Sequence, residues 1–136
     1  MTKVGEHITL DIIGTTKEYD PSVFEKAVKD IAKAAKVTIL NISKYKFEPQ
    51  GFTILALLAE SHISFHTFPE KGIISFDFFT CGKISPSIAI DIIKKEFKYK
   101  RIVKKEFNRD TKSFYHDIYS TPGSVSYTHL RAHETD

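Results

Sequence analysis

Residues 60–82 read ESHISFHTFPEKGIISFDFFTCG and contain two runs of alternating apolar and polar residues around a short turn. The runs 62–69 and 73–81 have the period of two that is typical of β-strands. The tetrapeptide Pro69-Glu70-Lys71-Gly72 between them is rich in turn-forming residues. The sequence therefore predicts a β-hairpin closed around Glu70-Lys71.

Pairing outward from this turn separates the side chains of the hairpin into two faces. Phe65 falls opposite Phe76 on an apolar face, and polar residues alternate with them on the other face. The same register brings Ser61 beside Cys81. We therefore predict that a serine, a histidine, a cysteine and an aspartate converge on the face not covered by helices, namely Ser61, His66, Cys81 and Asp77.

Working outward, the chain shows six β-like runs and two helical patterns. The β-like runs are 7–13, 37–47, 52–60, 62–69, 73–81 and 100–107. Asp20-Pro21 and Ser85-Pro86 each supply a side-chain N-cap and a proline at a helix start. The order β-α-β-β-β-β-α-β predicts an α+β fold, a two-layer α/β sandwich with a largely antiparallel sheet and two helices on one face. The other face then meets water, a ligand or another subunit.

Composition narrows the class of protein. The chain has 136 residues, of which 41% are hydrophobic and 27% charged, as expected for one globular domain. The longest apolar run, 54–59, is far shorter than the ~20 residues that span a bilayer. With no signal-like N-terminus, we expect a cytoplasmic protein without membrane contact.

Cys81 is the only cysteine, which excludes an intrachain disulfide. Glutamates interrupt the basic cluster at 94–105, and no aromatic motif accompanies it, so no nucleic-acid partner is predicted.

We assign residues 1–110 to a single domain and 111–136 to a loop or disordered tail. Periodicity fails from about residue 108, and the terminal stretch VSYTHLRAHETD is set aside as a candidate cloning or assembly scar. His129 and His133 in this tail are four residues apart, which would suit a metal on a helix. No third ligand stands nearby, so no metal site is predicted.

From the residues alone, the chemistry of the hairpin stays open. A serine, a histidine and a cysteine could serve hydrolysis, but the G-x-S-x-G elbow of many hydrolases is absent from the sequence. Alternating polar residues on a sheet face are also common on solvated surfaces, and a lone cysteine is often a small buried apolar group.

Two blocks of sequence carry a family resemblance. Residues 60–70 and 77–82, with the early histidine of Gly5-Glu6-His7 and the approach Phe47-x-Pro49-x-Gly51, resemble the processing motif of bacterial and archaeal S-adenosylmethionine decarboxylases, over about residues 5–107. The resemblance implies a proenzyme that cleaves itself between Glu60 and Ser61 into chains 1–60 and 61–136. It further implies that Ser61 becomes a pyruvoyl group, which replaces pyridoxal phosphate, and that processed protomers form a homodimer through their sheets.

The resemblance also implies residue roles in processing. Ser61 Oγ attacks the carbonyl of Glu60 to give an ester, which eliminates to dehydroalanine and is then hydrolysed to the pyruvoyl group. His66 is the base or the proton carrier in this series of reaction steps. Thr53 stands where the family usually has a processing serine, so the hydroxyl is kept and a methyl is added.

In catalysis, the pyruvoyl carbonyl forms a Schiff base with the substrate amine and accepts the electrons left by CO₂. The resemblance assigns Cys81 to the return of a proton to the α-carbon, Phe47 to stacking on adenine and Glu70 to the ribose hydroxyls. The predicted reaction converts S-adenosylmethionine to its decarboxylated form for spermidine biosynthesis.

Two departures from the family pattern keep alternatives open. Phe68 replaces the usual Trp, and Thr53-Ile54 replaces the usual Ser-Gly, so that Ile54 adds bulk. Relatives on this fold decarboxylate L-arginine or L-ornithine, and either activity is the first alternative. The second alternative is an unprocessed, non-enzymatic binding or regulatory homologue.

Overall fold

A computed structural model of the chain describes residues 3–15 and 18–110. The predicted tail, with His129 and His133, lies outside these residues. The described part contains one six-stranded sheet in which every neighbouring pair of strands is antiparallel, in the order β2-β3-β4-β5-β1-β6. The strands are β1 Lys3–Ile13, β2 Ile39–Lys46, β3 Phe52–Leu58, β4 Ser61–Phe68, β5 Ile73–Thr80 and β6 Arg101–Asp110.

Two α-helices follow β1 and β5, as the capping signals predict. The first, α1, spans Pro21–Ala34, and the Asp20 carboxylate accepts a hydrogen bond from the Ser22 amide at 3.3 Å. The second, α2, spans only Ala89–Glu96. The prediction that it starts at Ser85-Pro86 is wrong in detail, because Pro86–Ile88 form a separate 3₁₀ turn. Another 3₁₀ turn, Pro69–Lys71, closes the β4–β5 hairpin.

Both helices pack on one face of the sheet and enclose an aromatic core. Phe24 of α1 is 2% exposed, and its ring lies 5.5 Å from the rings of Phe52 and Phe65 and 5.2 Å from that of Phe97. Burying such a side chain stabilises the fold by about 1.5–3 kcal/mol. The apolar residues of β1, β3, β4 and β5 that alternate toward this face are fully buried. The predicted two-layer α+β sandwich is therefore confirmed.

A salt bridge joins the two helices on their outer surface. Lys26 Nζ lies 2.6 Å from a Glu96 carboxylate oxygen and 2.9 Å from one of Asp30. The hydrogen bond to Glu96, and then that to Asp30, raises the pKa of Lys26 to about 12. Neither helix within residues 3–15 and 18–110 is long and apolar enough to cross a bilayer.

The opposite face of the sheet, called the open face below, has no helix over it in the part of the chain that the structure describes. Leu55 and Leu57 of β3 are 48% and 56% exposed on it, and Phe107 of β6 is 49% exposed. Polar residues of β1, β4 and β5 separate these apolar side chains. Exposed leucine and phenylalanine on one sheet face are typical of a surface that meets a partner.

Candidate active site

The β4–β5 hairpin has the register that the sequence predicts. Phe65 pairs with Phe76, His62 with Phe79 and His66 with Ser75. The two phenylalanines of the first pair are buried under the helices, whereas the histidines lie on the open face. The alternation of polar and apolar residues therefore suffices to fix this register.

Ser61 begins β4 immediately after a two-residue turn, Ala59-Glu60. Glu60 has φ 61°, a left-handed conformation that costs a residue with a side chain about 1–2 kcal/mol. Ser61 is 7% exposed, and its Oγ accepts a hydrogen bond from the Cys81 amide at 3.4 Å. The structure thus confirms that Ser61 and Cys81 are neighbours and places the Glu60–Ser61 peptide in a constrained turn.

The expectation that Ser61 lies on the open face is wrong. Ser61 pairs with Leu58, which is 1% exposed and faces the helices. Side chains alternate along a strand, so Ser61 shares its face with Ile63 and Phe65 rather than with His66.

His66 lines a cavity at the far end of the hairpin. Thr53 Oγ1 lies 3.0 Å from His66 Nδ1, because the two residues are directly paired on β3 and β4. The cavity has a volume of about 370 Å³ and is lined by Phe47, Gln50, Gly51, Thr53, His66, Thr67, Phe68 and Glu70. Four predicted site residues, namely Phe47, Thr53, His66 and Glu70, therefore share one cavity.

A tight loop brings Phe47 to this cavity. The Phe47 amide donates a hydrogen bond to the Gly51 carbonyl at 2.8 Å, and Gly51 has φ 105°, a conformation that glycine adopts without strain. The Phe47 ring is 46% exposed and packs edge-on against Tyr45, with 4.8 Å between ring centroids. A ligand in the cavity can therefore reach an aromatic face.

The two departures from the family motif lie in different environments. Ile54 is 0% exposed and belongs to the core, so its bulk does not narrow the cavity. Phe68 is 38% exposed and does line the cavity. Phe68 and Thr53 therefore stand where they can contact a ligand, whereas Ile54 does not.

The hairpin keeps the two groups of predicted residues apart within one chain. Ser61 and His66 are five residues apart on β4, which corresponds to roughly 16 Å along an extended strand. They also lie on opposite faces of the sheet. The expected convergence of serine, histidine and cysteine does not occur within one chain, because the register that joins Ser61 to Cys81 carries His66 toward the turn.

Cys81 follows the last residue of β5 and is exposed. It lines a small cavity of about 140 Å³ together with Gly82 and residues 3–6 at the start of β1. Lys3 and Glu6, which form a salt bridge of 3.2 Å, border this cavity. The exposed residue Cys81 is therefore accessible at the end of β5, next to Ser61.

Sequence reasoning missed a cluster of three side chains on the open face. The Asp77 carboxylate contacts His7 Nε2 through one oxygen and lies 3.3 Å from His62 Nε2 through the other. One ligand atom from each residue lies within 4.8 Å of the others, so the three could hold a metal ion. Each residue stands in a quoted motif, but their meeting depends on the pairing of β1 with β5, which local pattern does not specify.

The fold and the hairpin motif are those of a two-layer α/β carboxy-lyase. The sequence pattern of the S-adenosylmethionine decarboxylase family matches residues 6–110, and the chain belongs to this family. This match confirms the family resemblance of the hairpin motif. It also confirms the prediction that the chain is a carboxy-lyase.

Individual relatives agree with this family. The S-adenosylmethionine decarboxylase proenzyme of Prochlorococcus marinus (strain MIT 9313) is 40% identical over 111 residues, which cover 79% of this chain and 89% of the relative. That of Methanococcus maripaludis (strain C7) is 40% identical over 105 residues, covering 75% and 86%. The crystal structure of the adenosylmethionine decarboxylase from Aquifex aeolicus superposes with a TM-score of 0.72 at 32% identity, covering 85% of this chain and 99% of that one.

Proposed function

We propose that this chain is a self-processing, pyruvoyl-dependent decarboxylase that converts S-adenosylmethionine to decarboxylated S-adenosylmethionine and CO₂ in the cytoplasm. The observation that carries the proposal is the placement of Ser61. Its hydroxyl is anchored on the Cys81 amide directly after a left-handed Glu60. The other end of the same hairpin borders a cavity that is lined by an aromatic ring and a carboxylate.

In processing, the turn before β4 holds the reacting peptide. Ser61 Oγ attacks the Glu60 carbonyl, and breaking the Glu60–Ser61 peptide releases the constraint on the left-handed residue. The hydrogen bond from the Cys81 amide fixes the rotamer of the serine hydroxyl while leaving its own proton free to depart. The products are chains 1–60 and 61–136.

A second copy of the chain supplies the base. Because His66 lies roughly 16 Å along β4 from Ser61, it serves the Ser61 of a partner rather than its own. A homodimer that joins the open faces about a two-fold axis, with the two β4 strands running in opposite directions, sets the Ser61 end of one copy beside the His66 cavity of the other. Because Ser61 is the first residue of β4 and lies beside the exposed Cys81, the partner's His66 approaches it around the end of the strand and not through the sheet. Exposed Leu55 and Leu57 support this use of the face.

The residues present fit the group that Ser61 would become. Once formed, the pyruvoyl carbonyl supplies an electron sink for the pair of electrons left by CO₂. Cys81, beside Ser61, donates a proton to the α-carbon of the substrate. Across the interface, Phe47 stacks on the adenine and the Glu70 carboxylate accepts hydrogen bonds from the ribose hydroxyls. Thr53 fixes the ring orientation of His66 through its bond to Nδ1.

The identity of the substrate is tested directly by an assay of decarboxylation. Purified protein is incubated with S-adenosylmethionine, L-arginine or L-ornithine, and CO₂ release is measured beside a denaturing gel. We expect two chains and CO₂ from S-adenosylmethionine alone. Release from arginine or ornithine instead would replace the substrate but keep the chemistry, whereas an uncleaved and inactive chain would favour a binding or regulatory homologue. Ser61→Ala is the matched control, since it leaves the fold and removes the nucleophile.

A further inference from the structure

Two histidines and an aspartate meet on the open face, and none of them has a role in the reaction proposed above. His7 of β1 and His62 of β4 both pair with Phe79 of β5, from opposite sides. Asp77 precedes Phe79 by two residues and so lies on the same face of β5. The three side chains therefore come from three adjacent strands, none of which is at an edge of the sheet.

The two imidazoles converge across β5. Two strands that flank a common neighbour are roughly 9.5 Å apart. One nitrogen of His7, one nitrogen of His62 and one carboxylate oxygen of Asp77 nevertheless all lie within 4.8 Å of one another. The ring centroids of the histidines are 6.2 Å apart, and they lie 5.8 Å and 5.9 Å from that of Phe79. Packing against Phe79 thus supports both rings beside the same carboxylate.

The Asp77 carboxylate faces the two rings through different oxygens. One oxygen contacts Nε2 of His7, and the other lies 3.3 Å from Nε2 of His62. Around a tetrahedral Zn²⁺ ion, with bonds of about 2.0–2.2 Å, donor atoms are about 3.3 Å apart. Closing the widest separation in the cluster, which is at most 4.8 Å, to this value requires a movement of about 1.5 Å.

The cluster is accessible and has the donor atoms that a transition metal prefers. The side chains of His62, Asp77 and His7 are 48%, 32% and 24% exposed, which gives an ion a path of entry. Two imidazole nitrogens with one carboxylate oxygen suit Zn²⁺ better than Mg²⁺ or Ca²⁺, which take oxygen donors. Three protein donors leave a fourth position for water, which an interface on this face can retain.

We propose that His7, His62 and Asp77 bind one Zn²⁺ ion, which ties β1, β4 and β5 together on the open face. The site is separate from the proposed decarboxylation, whose groups are other residues. Each donor coordinates through a lone pair, and no covalent bond of the protein forms or breaks. Because the three strands come together only in the folded chain, binding stabilises the fold.

Zinc titration of metal-stripped protein tests the site. Wild-type protein treated with a chelator and dialysed should bind one Zn²⁺ per chain in isothermal titration calorimetry, and its Tm should rise with Zn²⁺ concentration. Asp77→Asn and His62→Gln each remove one donor. Their affinity for Zn²⁺ should fall by at least ~10²-fold, because loss of a group that merely supports a ligand already costs ~10–10²-fold.

Three control variants separate this site from other groups that bind metals. Asp11→Asn removes a carboxylate on the same face, which accepts a hydrogen bond from Ser75 Oγ at 3.0 Å. Cys81→Ala removes the only thiol, and the double variant His129→Ala with His133→Ala removes two histidines that are four residues apart. All three controls should bind Zn²⁺ as tightly as the wild type.

The absorption spectrum of Co²⁺-loaded protein gives a readout that does not depend on substitutions in the cluster. Recorded on the His129→Ala, His133→Ala double variant, it should show the visible bands of four-coordinate Co²⁺. The near-ultraviolet charge-transfer band of a thiolate ligand should be absent. This spectrum keeps the test decisive if Asp77→Asn or His62→Gln fails to fold, and a spectrum of six-coordinate Co²⁺ would contradict the proposed geometry.

Three results would overturn the inference. Wild-type protein that binds no Zn²⁺ would make the three side chains a hydrogen-bonded group only. Unchanged affinity in Asp77→Asn and His62→Gln would place the ion elsewhere, and so would an equal loss of affinity in any control. The titration is repeated on Ser61→Ala, which should match the wild type. A chain that neither cleaves nor releases CO₂ but binds Zn²⁺ at this site would therefore contradict the proposed function alone.

Discussion

Mixed dimers test whether one active site draws on two chains. The structure separates Ser61 from His66 by roughly 16 Å along β4 and puts them on opposite sheet faces, a gap that rotation of side chains cannot close. We therefore consider co-expression of His66→Ala and Ser61→Ala chains that carry different affinity tags. In a mixed dimer, the His66→Ala chain keeps its own Ser61 and meets the intact His66 of its partner.

The expected yield follows from pairing statistics. With equal amounts and random association, about half of the His66→Ala chains sit in mixed dimers, so about half should be cleaved and about a quarter of all sites should be active. Each variant expressed alone should remain a single chain. The assay is a gel of each tagged chain after a long incubation, followed by CO₂ release from the mixed sample.

Two outcomes would contradict the proposal that the base comes from the partner chain. If His66→Ala alone cleaves at the wild-type rate, His66 is not the base. If mixing leaves every His66→Ala chain intact while wild-type protein cleaves, the base acts within its own chain, and the separation seen along β4 must close by a rearrangement of the hairpin.

Three further substitutions separate processing, catalysis and folding. Cys81→Ala should still cleave, because it keeps the backbone amide that holds Ser61 Oγ, yet lose ~10²–10⁴-fold in turnover; a wild-type rate of CO₂ release would make Cys81 a bystander. Thr53→Val removes the hydroxyl bonded to His66 Nδ1 and should slow cleavage by up to ~10-fold, the equivalent of about 1.4 kcal/mol, on a gel time course. Thr53→Ser should restore the rate of cleavage, and failure of that restoration would contradict the role of the hydroxyl. Phe24→Ala should lower the free energy of unfolding in urea by about 3–5 kcal/mol, because its ring is central to the core, and a loss under 1 kcal/mol would show that the core is assigned wrongly.

The sequence was sufficient for features that depend on local pattern. Alternation through 62–69 and 73–81 fixes the pairing of Phe65 with Phe76, because a slip of one strand by one residue would turn its buried side chains toward the open face. The cap at Asp20-Pro21 likewise marks the start of α1, and Ser85-Pro86 marks the 3₁₀ turn directly before α2. The six strands and two helices could be counted from these signals.

The remaining features depend on contacts between distant parts of the chain. His7 meets Asp77 only because β1 inserts between β5 and β6, and nothing near either residue specifies that order. Ser61 lies on the face opposite to the predicted one, because the parity of β4 places it with Ile63 even though Cys81 is its neighbour. The motif predicts that Ile54 adds bulk at the site, but alternation along β3 directs this side chain into the core.

The central claim is that the chain cleaves its own Glu60–Ser61 bond and converts Ser61 to a pyruvoyl group. Intact-mass spectrometry of the freshly purified and fully incubated protein tests it most directly. We predict two chains that divide the sequence after residue 60, the second of them lighter by one ammonia than a chain beginning with serine and reactive toward hydrazine. A single uncleaved chain after long incubation, or a second chain with an ordinary serine amino terminus, would contradict the account.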